Sequence, residues 1–142
     1  MSTVKDILAS KGREVWSVAP SDSVLDALRI MAAREVGALP VMDGWRLVGI
    51  LSERDYARKV ILAGRASVDT RVSEVMTRRV LCVTPAQSVG ECMALMTEQR
   101  ARHLPVVERK RVVGLVSIGD LVKAHIEDQE VLIDQLKQYI AG

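Results

Sequence analysis

The chain has 142 residues, of which 49% are hydrophobic, 27% are charged and only 3% are aromatic, with no phenylalanine. This length favours one compact unit with an aliphatic core. A net charge of +2 is too small for the basic stripe of nucleic-acid-binding proteins, and no apolar run approaches the roughly 20 residues that span a bilayer. The N-terminal residues lack the apolar stretch of a secretory signal, so the sequence predicts a cytoplasmic protein.

The first elements after the N-terminal segment are a short extended run and a helix. The run, 15–20, ends at Pro20, and a proline restricts the residue before it to extended geometry. Val24, Leu28 and Met31 then follow at i, i+4 and i+7, a spacing that places them on one face of a helix.

A hairpin and a second helix complete this half of the chain. Two β-rich runs, 39–42 and 46–51, are joined through Asp43-Gly44, a typical hairpin turn. The second helix is predicted to begin after Ser52.

The same series is written twice, 65 residues apart. "GILSERD" (49–55) corresponds to "GLVSIGD" (114–120), and "ALPVM" (38–42) corresponds to "HLPVV" (103–107). Upstream, "VKDIL" (4–8) resembles "VSEVM" (72–76), three residues out of frame. A repeat of this kind decides the architecture.

These elements predict an α+β fold: two pseudo-twofold-related β-α-β-β-α repeats packed sheet to sheet, with a long C-terminal helix. The predicted boundaries are a first repeat (1–62), a polar connector (63–71), a second repeat (72–125) and a C-terminal helical extension (126–142).

The C-terminal segment carries an apolar stripe along a helix that is too long for the small core alone. The stripe predicts a surface for a partner, and we expect a homodimer, since a twofold interface is the usual solution. The alternative is that the stripe packs within the chain on the connector. The stripe residues are Val122, Ile126, Leu132, Ile133, Leu136, Tyr139 and Ile140.

The order of extended run and proline, helix, "LPV", hairpin and "GhhSxxD", present twice, resembles a tandem pair of CBS domains, the Bateman module. The resemblance covers nearly the whole chain and extends to small stand-alone bacterial CBS proteins. It implies a non-catalytic module that binds an adenosine compound, namely AMP, ADP, ATP, NAD(H) or S-adenosylmethionine, and signals to a regulated protein. The alternative is a homodimeric interaction module without a ligand.

The two Ser-x-x-Asp motifs allow two interpretations. Ser52 with Asp55, and Ser117 with Asp120, match the capping box that opens a helix. The resemblance implies that each aspartate also binds ribose hydroxyls and that each serine contacts ribose or phosphate. Arg54, which Gly119 replaces in the second copy, is a further candidate for phosphate.

The resemblance also implies an apolar slot for adenine that crosses the two halves. Val83 and Pro85 would wall the Asp55 site, and Val18 and Pro20 would wall the Asp120 site. The prolines of the two "LPV" motifs, Pro40 and Pro105, are further candidates. The alternative is that these residues simply form the core.

The residues before and within "LPV" differ between the copies. Arg102 and His103 offer phosphate donors in the second copy, where the first has Gly37 and Ala38. We therefore expect unequal sites: one favours a mononucleotide phosphate, and the other accepts a larger ligand or stays empty.

No motif of catalysis or metal binding stands out, so the sequence predicts neither an enzyme nor a metalloprotein. Cys82 and Cys92 match no metal-binding spacing, and both are expected to be small core residues. No nucleic-acid or membrane partner is expected.

Overall fold

The computed structural model describes residues 1–12 and 14–141. A π-helical segment, Ala57–Ile61, directly follows the short helix Glu53–Tyr56. The mixed α+β class is confirmed, with two small antiparallel sheets and a long C-terminal helix. The elements are α1 (Val4–Lys11), α2 (Val24–Arg34), β1 (Ala38–Asp43), β2 (Arg46–Ser52), α3 (Glu53–Tyr56), α4 (Val72–Val75), α5 (Val89–Gln99), β3 (His103–Glu108), β4 (Arg111–Ser117) and α6 (Ile118–Ala141).

These elements form two compact units, named here after their aspartates. The Asp55 unit consists of residues 14–80, and the Asp120 unit consists of residues 1–12 and 81–141. Each unit therefore contains the helix that opens the other repeat: α1 lies with the second repeat, and α4 lies with the first.

The two predicted hairpins are confirmed. β1 pairs with β2, and Ala38 lies opposite Ser52; β3 pairs with β4, and His103 lies opposite Ser117. Gly44 takes a φ of 64° in the first turn, a conformation that favours glycine.

The predicted first strand of each repeat is reduced to one bridging residue. Val18 forms a parallel bridge with Val41, and Val83 forms one with Val106. The next donor along such a ladder would be residue 20 or 85, and both are prolines without an N–H. The ladder ends there for that reason.

A glycine in the middle of each second strand makes room for the exchanged helix. A Cβ at Gly114 would lie 2.6 Å from Cδ2 of Leu8, and a Cβ at Gly49 would lie 2.6 Å from Sδ of Met76. Both distances are too short for real contacts, so a side chain at either position would force Leu8 or Met76 to shift.

The core of each unit is aliphatic, as predicted. Cys92 is fully buried in the core of the Asp120 unit, which confirms one of the two cysteine predictions. The other was wrong, because Cys82 is exposed. It precedes Val83 in an extended run, where consecutive side chains point to opposite faces, and Val83 takes the buried one.

The first turns of α6 are anchored in the Asp120 unit. Leu121 and Ala124 are buried, and the amide and hydroxyl of Ser2 donate to the two carboxylate oxygens of Asp128 at 3.0 and 2.6 Å. Every residue from Gln129 to Ala141 is exposed, so the apolar stripe is not buried within the chain. Gly142, the last residue of the predicted extension, lies outside the described residues.

No helix in the described part of the chain combines the length and the apolar character needed to cross a bilayer.

Candidate functional site

The Ser-x-x-Asp motif of the first repeat lies where β2 meets α3. Ser52 is the N-cap, and its Oγ accepts a hydrogen bond from the Asp55 amide at 3.1 Å. Oδ2 of Asp55 accepts from the amide and the hydroxyl of Ser52, both at 3.0 Å. The capping-box interpretation is therefore confirmed here.

The second oxygen of Asp55 is engaged as well. Oδ1 accepts a hydrogen bond from the Thr77 hydroxyl at 3.0 Å and forms an ion pair with Nζ of Lys59 at 3.0 Å. The side chain of Asp55 is only 11% exposed. Four donors within the Asp55 unit thus surround this carboxylate.

The equivalent motif of the second repeat lies where β4 meets α6. The Ser117 amide donates to Oδ2 of Asp120 at 2.9 Å, and the Asp120 amide donates to Oγ of Ser117 at 3.1 Å. Nζ of Lys11 donates to the same Oδ2 at 2.6 Å and to the carbonyl of Leu115 at 2.8 Å.

The Asp120 carboxylate remains half open. Its side chain is 25% exposed, and the hydrogen bonds from Nζ of Lys11 and the Ser117 amide both go to Oδ2. Among residues 1–12 and 14–141, no hydrogen-bond partner reaches Oδ1. This oxygen can accept donors from a bound molecule.

The ammonium group of Lys11 lies against the carboxylate of Asp120. Burial opposes its ionisation, but the hydrogen bonds from Lys11 and the Ser117 amide outweigh burial, so the pKa of Asp120 lies below its usual value. Burial, together with the charges of Lys11 and Arg102, lowers the pKa of His103, although Asp120 opposes this shift. His103 is therefore a neutral donor or acceptor near pH 7.

A groove of about 270 Å³ adjoins this corner within the Asp120 unit. Residues of α1 and α6 line it, among them Ser10, Lys11, Asp120 and Lys123. Its walls combine the carboxylates of Asp6, Asp120 and Glu127 with the ammonium groups of Lys11 and Lys123 and two serine hydroxyls, so the groove is polar and carries charges of both signs.

Two segments of the chain, 4–61 and 72–127, match the family model of the CBS domain. The chain belongs to the CBS-domain family. A CBS-domain protein from Burkholderia ambifaria has a similar solved structure, with 53% identity, a TM-score of 0.86 and coverage of 90% of this chain and 96% of that one. The mitochondrial CBS domain-containing protein CBSX3 of Arabidopsis thaliana is 39% identical over 99% of this chain and 73% of its own length.

A second similar structure contains ligands. The CBS-domain pair of protein MJ0100, solved with 5′-methylthioadenosine and S-adenosylmethionine, is 26% identical, with a TM-score of 0.77 and coverage of 87% of this chain and 99% of that one. Membership of the family makes this chain a pair of CBS domains, which are generally regulatory modules.

The residues just before each CBS "LPV" motif lie beside the first residue of α3 or of α6. The carbonyl of Gly37 accepts from the Glu53 amide at 3.0 Å, and the carbonyl of Arg102 accepts from the Ile118 amide at 2.9 Å. Ala38 and His103 then lie opposite the two capping serines. The structure thus brings His103 next to the Ser117–Asp120 motif, where the first repeat has only a methyl group.

The residues nominated for the adenine slot are mostly buried. Val18, Val83, Pro40 and Pro105 lie in the cores, and Pro20 and Pro85 are half-buried. The amide of Val18 donates to the carbonyl of Pro40 at 3.2 Å, and that of Val83 donates to the carbonyl of Pro105 at 3.0 Å. A core role is evident for the four buried residues, and the slot with its assignment to the two halves stays a prediction.

The charged candidates differ in their surroundings. Arg54 is exposed in the first turn of α3, and Arg102 is exposed just before β3. Arg102 lies next to another candidate, His103, and its positive charge helps to lower the pKa of that histidine. A phosphate role for either arginine stays a prediction.

Three partners of the aspartates were missed in the sequence. Lys59 lies four residues after Asp55 on one helical stretch, a spacing that predicts an ion pair. Lys11 and Thr77 carried no such signal. Lys11 is the last residue of α1 and Thr77 follows α4, and these are the two helices exchanged between the repeats.

In the part of the chain that the structure describes, no three histidine, cysteine, aspartate or glutamate side chains come together as a metal-binding group.

Proposed function

We propose that this CBS pair is a non-catalytic regulatory module that binds AMP or another adenine nucleotide at Asp120 and signals to a protein partner. The observation that carries the proposal is the half-open carboxylate of Asp120 at the start of α6, with Oδ1 available and basic groups around it. The adenosine ligands of the MJ0100 pair support this ligand class. The cytoplasm remains the predicted compartment.

The chemistry of the corner fits a ribose and a phosphate. An ionised carboxylate accepts two hydroxyl donors with charge-assisted strength, so Asp120 would bind the vicinal hydroxyls of ribose. Arg102, His103 and the Ser117 hydroxyl would then serve the phosphate, because a guanidinium, an imidazole and a hydroxyl are phosphate donors. No step of this binding requires a cofactor or a metal.

Lys11 occupies part of the site that the ribose would use. Its side chain is 37% exposed, and an ion pair with this much solvent contributes only about 0–1 kcal/mol to stability. The ion pair with Lys11 therefore lowers the affinity of Asp120 for a ribose only slightly, although the ribose must displace Lys11 from Oδ2. The released ammonium would be available to the phosphate.

The Asp55 corner is proposed to be structural. A ribose there would have to break the Thr77 hydrogen bond and the Lys59 ion pair of a carboxylate that is only 11% exposed. A hydrogen bond to a buried charged group contributes about 1.5–3 kcal/mol. The two sites are thus unequal, and Asp120 would be occupied first; a larger ligand such as NAD(H) would need rearrangement at Asp55.

One alternative has an observation in its favour. Both Ser-x-x-Asp motifs cap helices, and an apolar stripe of α6 is exposed, which also suits a homodimeric interaction module without a ligand. Under both proposed functions, the chain forms a homodimer and acts on a regulated protein partner.

Isothermal titration calorimetry with AMP, ATP, NADH and S-adenosylmethionine separates the two functions. We expect saturable binding of at least one of these compounds, weakened at least tenfold by Asp120→Ala. Far-UV circular dichroism of the variant verifies its fold. Failure of all four compounds to bind the wild-type chain would reject the nucleotide site and leave the interaction module.

A further inference from the structure

The exposed part of α6 contains a strict heptad pattern. Apolar residues recur at alternating spacings of four and three from 122 to 140, with a single polar exception. The apolar members are between 41% and 83% exposed, and the polar member is exposed as well. The resulting seam consists of Val122, Ile126, Gln129, Ile133, Leu136 and Ile140.

The seam is distinct from the side of α6 that holds the Asp120 unit. Leu121, Ala124 and Asp128 make the contacts to that unit. At 3.6 residues per turn they lie about a third of a turn away from the seam. The helix can therefore contact its own unit on one side and another helix on the other.

The residue types along the seam indicate what covers it. Heptad position a is isoleucine in all three cases, at 126, 133 and 140, and position d includes Leu136. Isoleucine at a with leucine at d favours two parallel strands. Gln129 is a lone polar residue at d, and a lone polar residue in a seam specifies register at some cost in stability.

We propose that residues 122–140 of α6 pair with the same segment of a second copy of this chain as a parallel two-stranded coiled coil. This pairing is independent of the nucleotide site. Because the seam is shorter than three heptads, the dimer should be weak and should dissociate on dilution.

Charges beside the seam favour the parallel orientation. In a parallel pair, each e position faces a g position, so Glu130 meets His125, Lys137 meets Leu132, and no like charges face one another. In an antiparallel pair, e faces e, so Lys123 would face Lys137 and each Glu130 would face its own equivalent. The antiparallel arrangement thus places like charges together, which disfavours it.

Sedimentation velocity over a dilution series tests the association. We expect the wild-type chain to be a dimer at high concentration, Leu136→Asp to be a monomer, and the matched control Gln138→Asp to be a dimer. Both substitutions place aspartate in the last two turns, but residue 138 lies opposite the seam. A monomeric wild type, or dimers that survive in Leu136→Asp, would overturn the proposal.

Disulfide cross-linking tests the orientation. In a Cys82→Ser background, Ile126→Cys and Ile140→Cys should each form homodimers under mild oxidation, because equivalent a positions are adjacent in a parallel pair. In an antiparallel pair the two copies of residue 140 would be about 27 Å apart, far beyond disulfide reach. Cross-links formed only when Val122→Cys chains are mixed with Ile140→Cys chains would reject the parallel coil.

Discussion

The Asp55 and Asp120 corners begin from the same motif and differ in what surrounds it. Both serines accept a hydrogen bond from the amide of their aspartate, and both aspartates accept one from the amide of their serine. Thr77 and Lys59 then contact Oδ1 of Asp55. Lys11 instead donates to Oδ2 of Asp120, the oxygen that the serine amide already contacts, and leaves Oδ1 open. We therefore propose that the duplicated motif is a structural cap in one copy and a ligand acceptor in the other.

The largest expected difference between the corners is in stability. Asp55→Ala removes a cap, a hydrogen bond from Thr77 and an ion pair in a buried place, so we expect a loss of about 3 kcal/mol in the free energy of unfolding. Asp120→Ala should lose only about 1 kcal/mol, because its ion pair is open to solvent. Urea denaturation of both variants measures the two values, and equal losses would contradict the comparison.

The next effect concerns phosphate recognition. Arg102→Gln should weaken AMP binding about tenfold and leave adenosine binding unchanged, because a guanidinium contributes only through the phosphate. Arg54→Gln is the control in the other unit and should change neither affinity. Calorimetry with AMP and adenosine gives all four comparisons, and an equal loss for AMP and adenosine would exclude a phosphate contact.

A smaller effect in the opposite direction is expected at Lys11. Lys11→Met removes the internal competitor for Oδ2 of Asp120, so adenosine affinity should rise by up to about fivefold, equivalent to about 1 kcal/mol. Lys5→Met, on an exposed position of the same helix, is the control. A fall in adenosine affinity in Lys11→Met would show that Lys11 supports the ligand instead of competing with it.

The smallest effect is the pH dependence of stability. The pKa of Asp120 is lower in the folded protein than in the unfolded chain, where it is about 3.9. Its contribution is thus present above about pH 4 and is lost as the pH falls through the lower, folded value. The stability gap between wild type and Asp120→Asn, less than about 1 kcal/mol, should shrink between pH 7 and pH 3 in urea titrations; a gap that widens in acid would contradict the assignment.

Much of the fold could be predicted because its signals are local. Proline positions, hairpin turns and apolar spacing gave the two sheets, the long helix and the start of α3 and α6 after Ser52 and Ser117. The length of the first strand in each repeat was overestimated. The prolines that keep the backbone extended have no N–H, so they also remove the next hydrogen-bond donor of the strand. Each of these predictions, correct or wrong, depends on the sequence of one segment alone.

The surroundings of the motifs could not be predicted in the same way. Lys11 precedes Asp120 by 109 residues and reaches it because α1 packs beside Gly114 and not with its own repeat. Thr77 reaches Asp55 through a similar exchange of α4. Local patterns carry no information about which repeat a helix joins, so the difference between the two aspartates required the structure.

The central claim, that Asp120 is the working site and Asp55 a structural one, is tested most directly by native mass spectrometry of the bound nucleotide. Counting AMP per chain in the wild type, Asp55→Asn and Asp120→Asn avoids the larger stability loss of an alanine at Asp55. We predict one AMP per chain in the wild type and in Asp55→Asn, and none in Asp120→Asn. Two AMP molecules per wild-type chain, or loss of binding only in Asp55→Asn, would contradict the account.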